Sequence, residues 1–297
     1  MTLRSFFDSL ETASRSLAVV AADDRAERGP LTDLLADSVD SPHVEVTAAN
    51  RSIVAGADRR LDDVLDAHDT VVVALEDGEP IAASPMDDLY DAILAINSDL
   101  FMTGSRGLGS IELPAVLAAL ENTRLELRGY PRSHKEKLLL ILLSRYIEQL
   151  AWSNGSGILR SSFQYLSRIE DEVGTRAVYD QLGRTDVDVH VYGVGGSDPP
   201  AIEATVHTGR SRLYRTAWFV VYRPDNEGPT DQHPHEDVPG ASRSAFTPLR
   251  RSDGDSSTVP RSAALVCLET GDRVWEGFFT FDSDRVAAIE DTVATEL

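Results

Sequence analysis

Between Leu17 and Ser84 the chain alternates short apolar runs with stretches of helical spacing. Leu17-Ala18-Val19-Val20 leads to a helix near residues 31–38, then to Val44-Glu45-Val46, a helix near 61–65, and Val71-Val72-Val73-Ala74-Leu75. Glu76-Asp77-Gly78 has the residues of a tight turn into Ile81-Ala82-Ala83. This β-α-β-α-β alternation predicts a mainly parallel sheet. From Asp186 onward the apolar positions follow a strand period, and strands are expected over 187–194, 201–207, 215–222, 263–268 and 273–281. They predict a mainly antiparallel sheet, closed by a helix from Ser283 to about Glu296. Residues 111–182 read as mostly helical, with a helix from about Ser133 to Ser153 that is apolar nearly all round through Leu138–Leu143.

The expected fold class is therefore α/β. An N-terminal β-α-β-α-β part, mainly parallel, covers 1–110; a central helical segment and a C-terminal mainly antiparallel sheet with its closing helix cover 111–297, the two forming separate units or one continuous domain. Pro224 to Arg261 carries Pro224, Pro229, Pro234, Pro239, Pro248 and Pro260 among Asp, Ser and Gly, and is expected to be a long flexible loop.

Charge changes the picture of the setting. The chain has 49 acidic and 28 basic residues and a formal net charge of -21, and only Lys135 and Lys137 among its bases are lysine. Self-repulsion of this size is screened in molar salt, where the Debye length falls to about 3 Å. A salt-adapted protein follows. A lone Cys267 excludes an intrachain disulfide, and Ala264-Leu265-Val266-Cys267-Leu268 reads as a buried strand with the thiol as core packing. The first residues lack the apolar core of a signal peptide, and the longest apolar run, Leu138–Leu143, is too short to span a bilayer. A cytoplasmic protein without a membrane partner is expected.

The charges are unevenly placed. From Phe101 to Glu170 there is no aspartate, although the chain contains 30. Nine bases against six glutamates give that stretch +3, so the remainder carries -24. A segment that escapes an acidifying pressure is either buried or constrained by what it binds. His134, Leu138, Ile141, Arg145, Glu148 and Trp152 share one helical face, which puts Arg145 and Glu148 at i,i+3. Such a pair serves as a structural ion pair or contacts a ligand. Candidate ligand contacts are Arg145 and Arg168 for an anionic group, Glu148 as partner of Arg145, Trp152 for stacking, and Gln164 and Tyr192 for hydrogen bonds. Tyr192 lies on a strand whose alternation puts Asp188, His190 and Tyr192 on one face and Val187, Val189 and Val191 on the other.

Other motifs point less far. Gly104-Ser105-Arg106-Gly107-Leu108-Gly109 lacks both the Rossmann spacing and a P-loop ending. Gly155-Ser156-Gly157-Ile158-Leu159-Arg160 reads as a loop after the central helix, with Gly155 as its C-cap. His233-Pro234-His235-Glu236-Asp237 sits in the proline-rich loop, where nothing preorganises it as a metal site. No Ser/His/Asp order suits hydrolysis, no catalytic residue is assigned, and no particular cofactor is indicated.

Gly129-Tyr130-Pro131, His134-Lys135-Glu136-Lys137-Leu138-Leu139, Ser144-Arg145-Tyr146-Ile147-Glu148, Phe163-Gln164-Tyr165-Leu166-Ser167-Arg168 and Val187-Asp188-Val189-His190-Val191-Tyr192-Gly193 together resemble the DICT sensory domain. Ala217-Trp218-Phe219-Val220-Val221-Tyr222 and Trp275-Glu276-Gly277-Phe278-Phe279-Thr280 resemble its later strands, so the likeness covers most of the chain. That family occurs with diguanylate cyclase and two-component modules and as separate haloarchaeal proteins. The resemblance implies a non-catalytic signal-input role, linked to light or redox state. It also implies output through a separate partner such as a histidine kinase or transcription regulator. A ligand-free protein-interaction adaptor and an enzyme on a nucleotide-like substrate are the alternatives; nucleic-acid binding is not expected of so acidic a chain.

Overall fold

β1 (Arg15–Ala21) pairs parallel with β2 (Val44–Ala49) and antiparallel with β3 (Thr70–Glu76), which in turn pairs antiparallel with β4 (Glu79–Pro85). The resulting four-stranded sheet has the order β2-β1-β3-β4. The computed structural model describes residues 1–10, 14–21, 43–54, 59–97, 111–128, 136–171, 173–195, 200–225, 261–271 and 274–297. The expected helix near 31–38, the glycines at 104–109, the boundary near 110 and nearly all of the proline-rich loop lie outside them.

Only one pairing of this sheet is parallel, which corrects the expectation of a mainly parallel sheet. Val20 pairs with Ala49 and Ala21 with Thr70, so β2 ends and β3 begins at the same edge of the sheet. Short helices α2 (Arg51–Val54) and α3 (Arg59–Ala67) return the chain to the edge it left instead of carrying it across. The β3–β4 link is a two-residue hairpin in which Asp77 and Gly78 both have positive φ, 50° and 85°, as a type I′ turn requires.

The second sheet has seven strands in the order β5-β11-β10-β9-β6-β7-β8. Its members are β5 (Leu125–Arg128), β6 (Ser156–Tyr165), β7 (Asp186–Val194), β8 (Thr205–Thr208), β9 (Ala217–Arg223), β10 (Ala263–Gly271) and β11 (Val274–Thr280). Pairings from β5 through β6 are antiparallel, while β6, β7 and β8 run parallel, so both sheets are mixed. β5 and β6 correct the reading of 111–182 as mostly helical. Positions 201–204, expected to begin a strand, form bends before β8. β6 was hidden by the glycines at its start. Gly157, at φ 110°, is there because a Cβ would lie 2.4 Å from the Arg223 carbonyl oxygen.

Helices separate and cover these sheets. α4 (Met86–Asn97) and the short α5 (Ala115–Ala118) pack on the four-stranded sheet, and α4 also packs against α6 (Glu136–Asn154), which lies on the seven-stranded one. Gly155 caps α6 in the left-handed region, φ 72°, donating to the Ala151 carbonyl at 3.0 Å. The opposite face of the large sheet carries α1 (Leu3–Asp8) and α10 (Ser283–Glu296), the closing helix at its expected position, while the short α9 (Arg212–Thr216) leads into β9. One apolar core runs from Leu17, Val46 and Val72 through Leu89, Leu142 and Ile147 to Val220 and Leu265. A second, on the far face, joins Phe7, Phe219, Val266, Phe278 and Ile289. Cys267 is fully buried in the first. Among the described residues no helix is long and apolar enough to cross a membrane.

Charge ties α10 to the sheet. Glu290 is 2% exposed and meets Arg160 Nε of β6 at 2.6 Å and Arg223 Nη2 of β9 at 3.0 Å. Glu290→Ala leaves Arg160 facing a desolvated gap and is expected to cost about 3–5 kcal/mol. Arg223, whose side chain is 36% exposed, is expected to cost about 1 kcal/mol or less as alanine. Urea denaturation in molar salt measures both, and equal losses would show that Glu290 acts through packing.

Candidate functional site

The central helix carries its charges inside. Arg145 and Glu148, one turn apart on α6, are 9% and 3% exposed, and Arg145 Nη1 donates to Glu148 Oε2 at 2.7 Å. α8 (Val173–Leu182) supplies further partners from successive turns. Thr175 Oγ1 accepts from Arg145 Nη2 at 2.6 Å, and the Tyr179 hydroxyl donates to Glu148 Oε1 at 3.1 Å. Burial first, and then the neighbouring Glu148 carboxylate, pushes the Tyr179 phenol well above its ordinary range. It stays a donor.

Strand β6 faces this pair and is irregular there. Its register with β7 shifts between Ser162 and Tyr165, and Gln164 sits at φ 60°, a conformation uncommon outside glycine and costing about 1–3 kcal/mol. The bulge turns Gln164, 8% exposed, into the lining of a cavity, where its Oε1 accepts from Arg168 Nη1 at 2.6 Å. Arg168 opens the short helix α7 (Arg168–Asp171) and lies 5.8 Å over the Tyr165 ring.

The cavity measures about 230 Å³. Its buried end is formed by Arg145, Glu148, Thr175, Ser144 and Ser161; Ile141, Phe163 and Trp218 are partly exposed, and Arg168 is exposed at the rim. Ser144 Oγ and Ser161 Oγ are shielded from solvent and make no hydrogen bond of good geometry, although Ser161 lies beside the Tyr179 hydroxyl. Buried hydroxyls without partners cost about 1–3 kcal/mol each. They place hydroxyl donors and acceptors at the buried end of the cavity.

Four of the six candidate residues, Arg145, Glu148, Gln164 and Arg168, therefore line one cavity. Trp152 does not; it packs partly buried against the core, and Trp218 provides the aromatic wall instead. Tyr192 does not either, because strand alternation sends it to the α10 face, where its hydroxyl accepts from Arg160 Nη1 at 2.6 Å. Ser144, Ser161, Phe163, Thr175 and Trp218 were missed. Ser144 carried a readable signal, a hydroxyl closing the run Leu138–Leu143.

A second polar cluster surrounds Tyr192. Its ring stacks on His207 at 4.3 Å and 7°, and His207 Nε2 lies 2.9 Å from His190 Nδ1. His190 Nε2 reaches Asp188 Oδ2 at 3.0 Å. A nitrogen separation of this length is a hydrogen bond in which one ring donates and the other accepts. Among the described residues no group of three or more His, Cys, Asp or Glu is arranged for a metal ion.

Burial, then His190 and Arg160, holds the His207 pKa below its usual 6.5, against the pull of Asp188. Below pH 6.5 the unfolded chain takes up this proton before the folded one does, so stability rises with pH across the window from the folded value up to 6.5. Its contribution is complete above 6.5 and is lost as pH falls through that window. Melting scans from about pH 7.5 to about 5.5 are expected to show a smaller fall for His207→Phe, which keeps the stack on Tyr192, than for the unaltered chain. Parallel curves would remove His207 from the pH response.

No protein-family model, no curated protein and no solved structure matches the chain.

Proposed function

We propose that the chain is a non-catalytic sensory domain of a salt-adapted cytoplasm, which binds a small molecule in the cavity between α6, α8 and β6. It passes the signal to a separate partner, a histidine kinase or transcription regulator. The observation that carries this reading is the meeting, in one cavity, of a buried Ser144 hydroxyl without a partner and a backbone held at positive φ at Gln164. Both features oppose folding. Their retention at one place favours a function served there.

The ionisable groups support binding over catalysis. Glu148 is occupied by Arg145 and Tyr179, so neither of its oxygens is poised to take a substrate proton. The resemblance of the α6, β6 and β7 segments to the DICT domain agrees with a signal-input role. At about 230 Å³ the cavity is below the roughly 300–1,000 Å³ of drug-sized sites, which favours a compact metabolite over a flavin- or haem-sized chromophore. A link to light or redox state would then run through a small redox-dependent metabolite.

Ser144→Ala separates a binding site from a fold defect. Removing an unsatisfied hydroxyl is expected to leave the melting temperature unchanged or higher, while affinity for the bound molecule falls roughly three- to tenfold. Native mass spectrometry on protein made in a halophilic host, and exchanged from molar salt just before analysis, identifies that molecule. A bound mass in the unaltered chain that is diminished in Ser144→Ala supports the reading. An empty protein in both overturns it in favour of a ligand-free adaptor.

A further inference from the structure

We propose that the cavity takes a small, flat monocarboxylate whose ring lies along Trp218 and Phe163 and whose carboxylate meets Arg168. This rests on the ligand-binding reading above and names its ligand class. Size sets the first limit: about 230 Å³ accommodates a single ring with short substituents and not a dinucleotide.

Charge sets the second. The lining holds two arginines and one glutamate. Arg145 is paired with that glutamate, Glu148, at 2.7 Å. Arg168 stands exposed at the rim, and among the described residues it forms no ion pair with a carboxylate. Its guanidinium is nonetheless held in place, donating to Gln164 Oε1 at 2.6 Å and lying 5.8 Å over the Tyr165 ring. A guanidinium already oriented from two sides loses little freedom on binding, and its planar fork matches a carboxylate through two parallel hydrogen bonds. In a chain of formal net charge -21, an anion is drawn only to a local cation such as this one.

The walls set the third. Trp218 and Phe163 offer flat apolar surface, and the hydroxyls of Ser144 and Ser161 lie at the buried end. A hydroxyl can donate or accept, so a ring bearing a hydroxyl opposite its carboxylate satisfies both ends of the cavity at once.

Calorimetric titration of benzoate, benzamide and 4-hydroxybenzoate in molar KCl tests this, with the unaltered chain, Arg168→Gln and Ser144→Ala compared. Benzoate is expected to bind at least about tenfold more tightly than the isosteric benzamide, and Arg168→Gln to bring that ratio close to one without weakening benzamide. 4-Hydroxybenzoate is expected to gain about threefold over benzoate, a gain that Ser144→Ala removes. Arg168 is exposed, so its variant folds, and the melting temperature verifies this. Equal binding of acid and amide, or a ratio that Arg168→Gln leaves intact, overturns the carboxylate assignment and leaves the ligand site standing. Failure of all three to saturate, with another bound mass present in the native spectrum, overturns this ligand class alone. The same failure with an empty protein overturns the ligand site as well.

Discussion

A helix buried between two layers must find partners for every charge it carries, and α6 carries Arg145 and Glu148 into the largest core of the protein. Removing either partner from such a pair leaves a desolvated charge, at a cost of several kcal/mol. The neighbourhood is therefore built around them. α8 is placed so that Thr175 and Tyr179, one turn apart, complete the remaining hydrogen bonds. Packing α8 in that position leaves space against β6, which the cavity occupies. The ion pair is thus a wall of the site and a condition of its existence.

β6 is the element on which both faces of the large sheet meet. Ser161 faces the cavity, while its neighbour Arg160 faces α10 and is locked by Glu290 at 2.6 Å and by the Tyr192 hydroxyl at 2.6 Å. Alternation along a strand makes that division unavoidable. A shift of β6 that closes the cavity around a ligand has to move the Arg160 side of the strand too. It would load the ion pair that fastens the closing helix.

Much of the fold was legible in periodicity. The apolar runs that became β1, β3, β7, β9, β10 and β11, the buried helix α6 and the closing helix α10 stand where composition and spacing put them. The direction of β3 was not legible, because a helical connection looks the same in sequence whether it crosses the sheet or doubles back as α2 and α3 do. β6 was obscured for a different reason. Gly155 and Gly157 read as loop residues, yet one caps α6 and the other allows the Arg223 carbonyl to approach β6. For the site, Arg145 and Glu148 could be paired from their spacing, whereas Gln164 and Arg168 are separate candidates in the sequence and meet because of the irregularity in β6. Trp152 and Trp218 could not be distinguished, since both have apolar neighbours and only the tertiary arrangement says which one meets the cavity.

The charge anomaly of residues 101–170 has a physical origin in this arrangement. Several arginines of this segment turn inward to partners within the fold. Arg145 and Arg160 are each 9% exposed and answer buried glutamates, and Arg124 donates to the Phe7 carbonyl at 2.7 Å, tying α1 to the sheet. Arginine suits these places better than lysine because its five donors satisfy several acceptors at once. Arg168 differs from them. It is exposed, and its described contacts are to the Gln164 amide and the Tyr165 ring and not to a carboxylate, so burial does not account for a cation at that position. In a chain of formal net charge -21, a positive side chain at the rim of the cavity supplies the local attraction that the proposed anion needs.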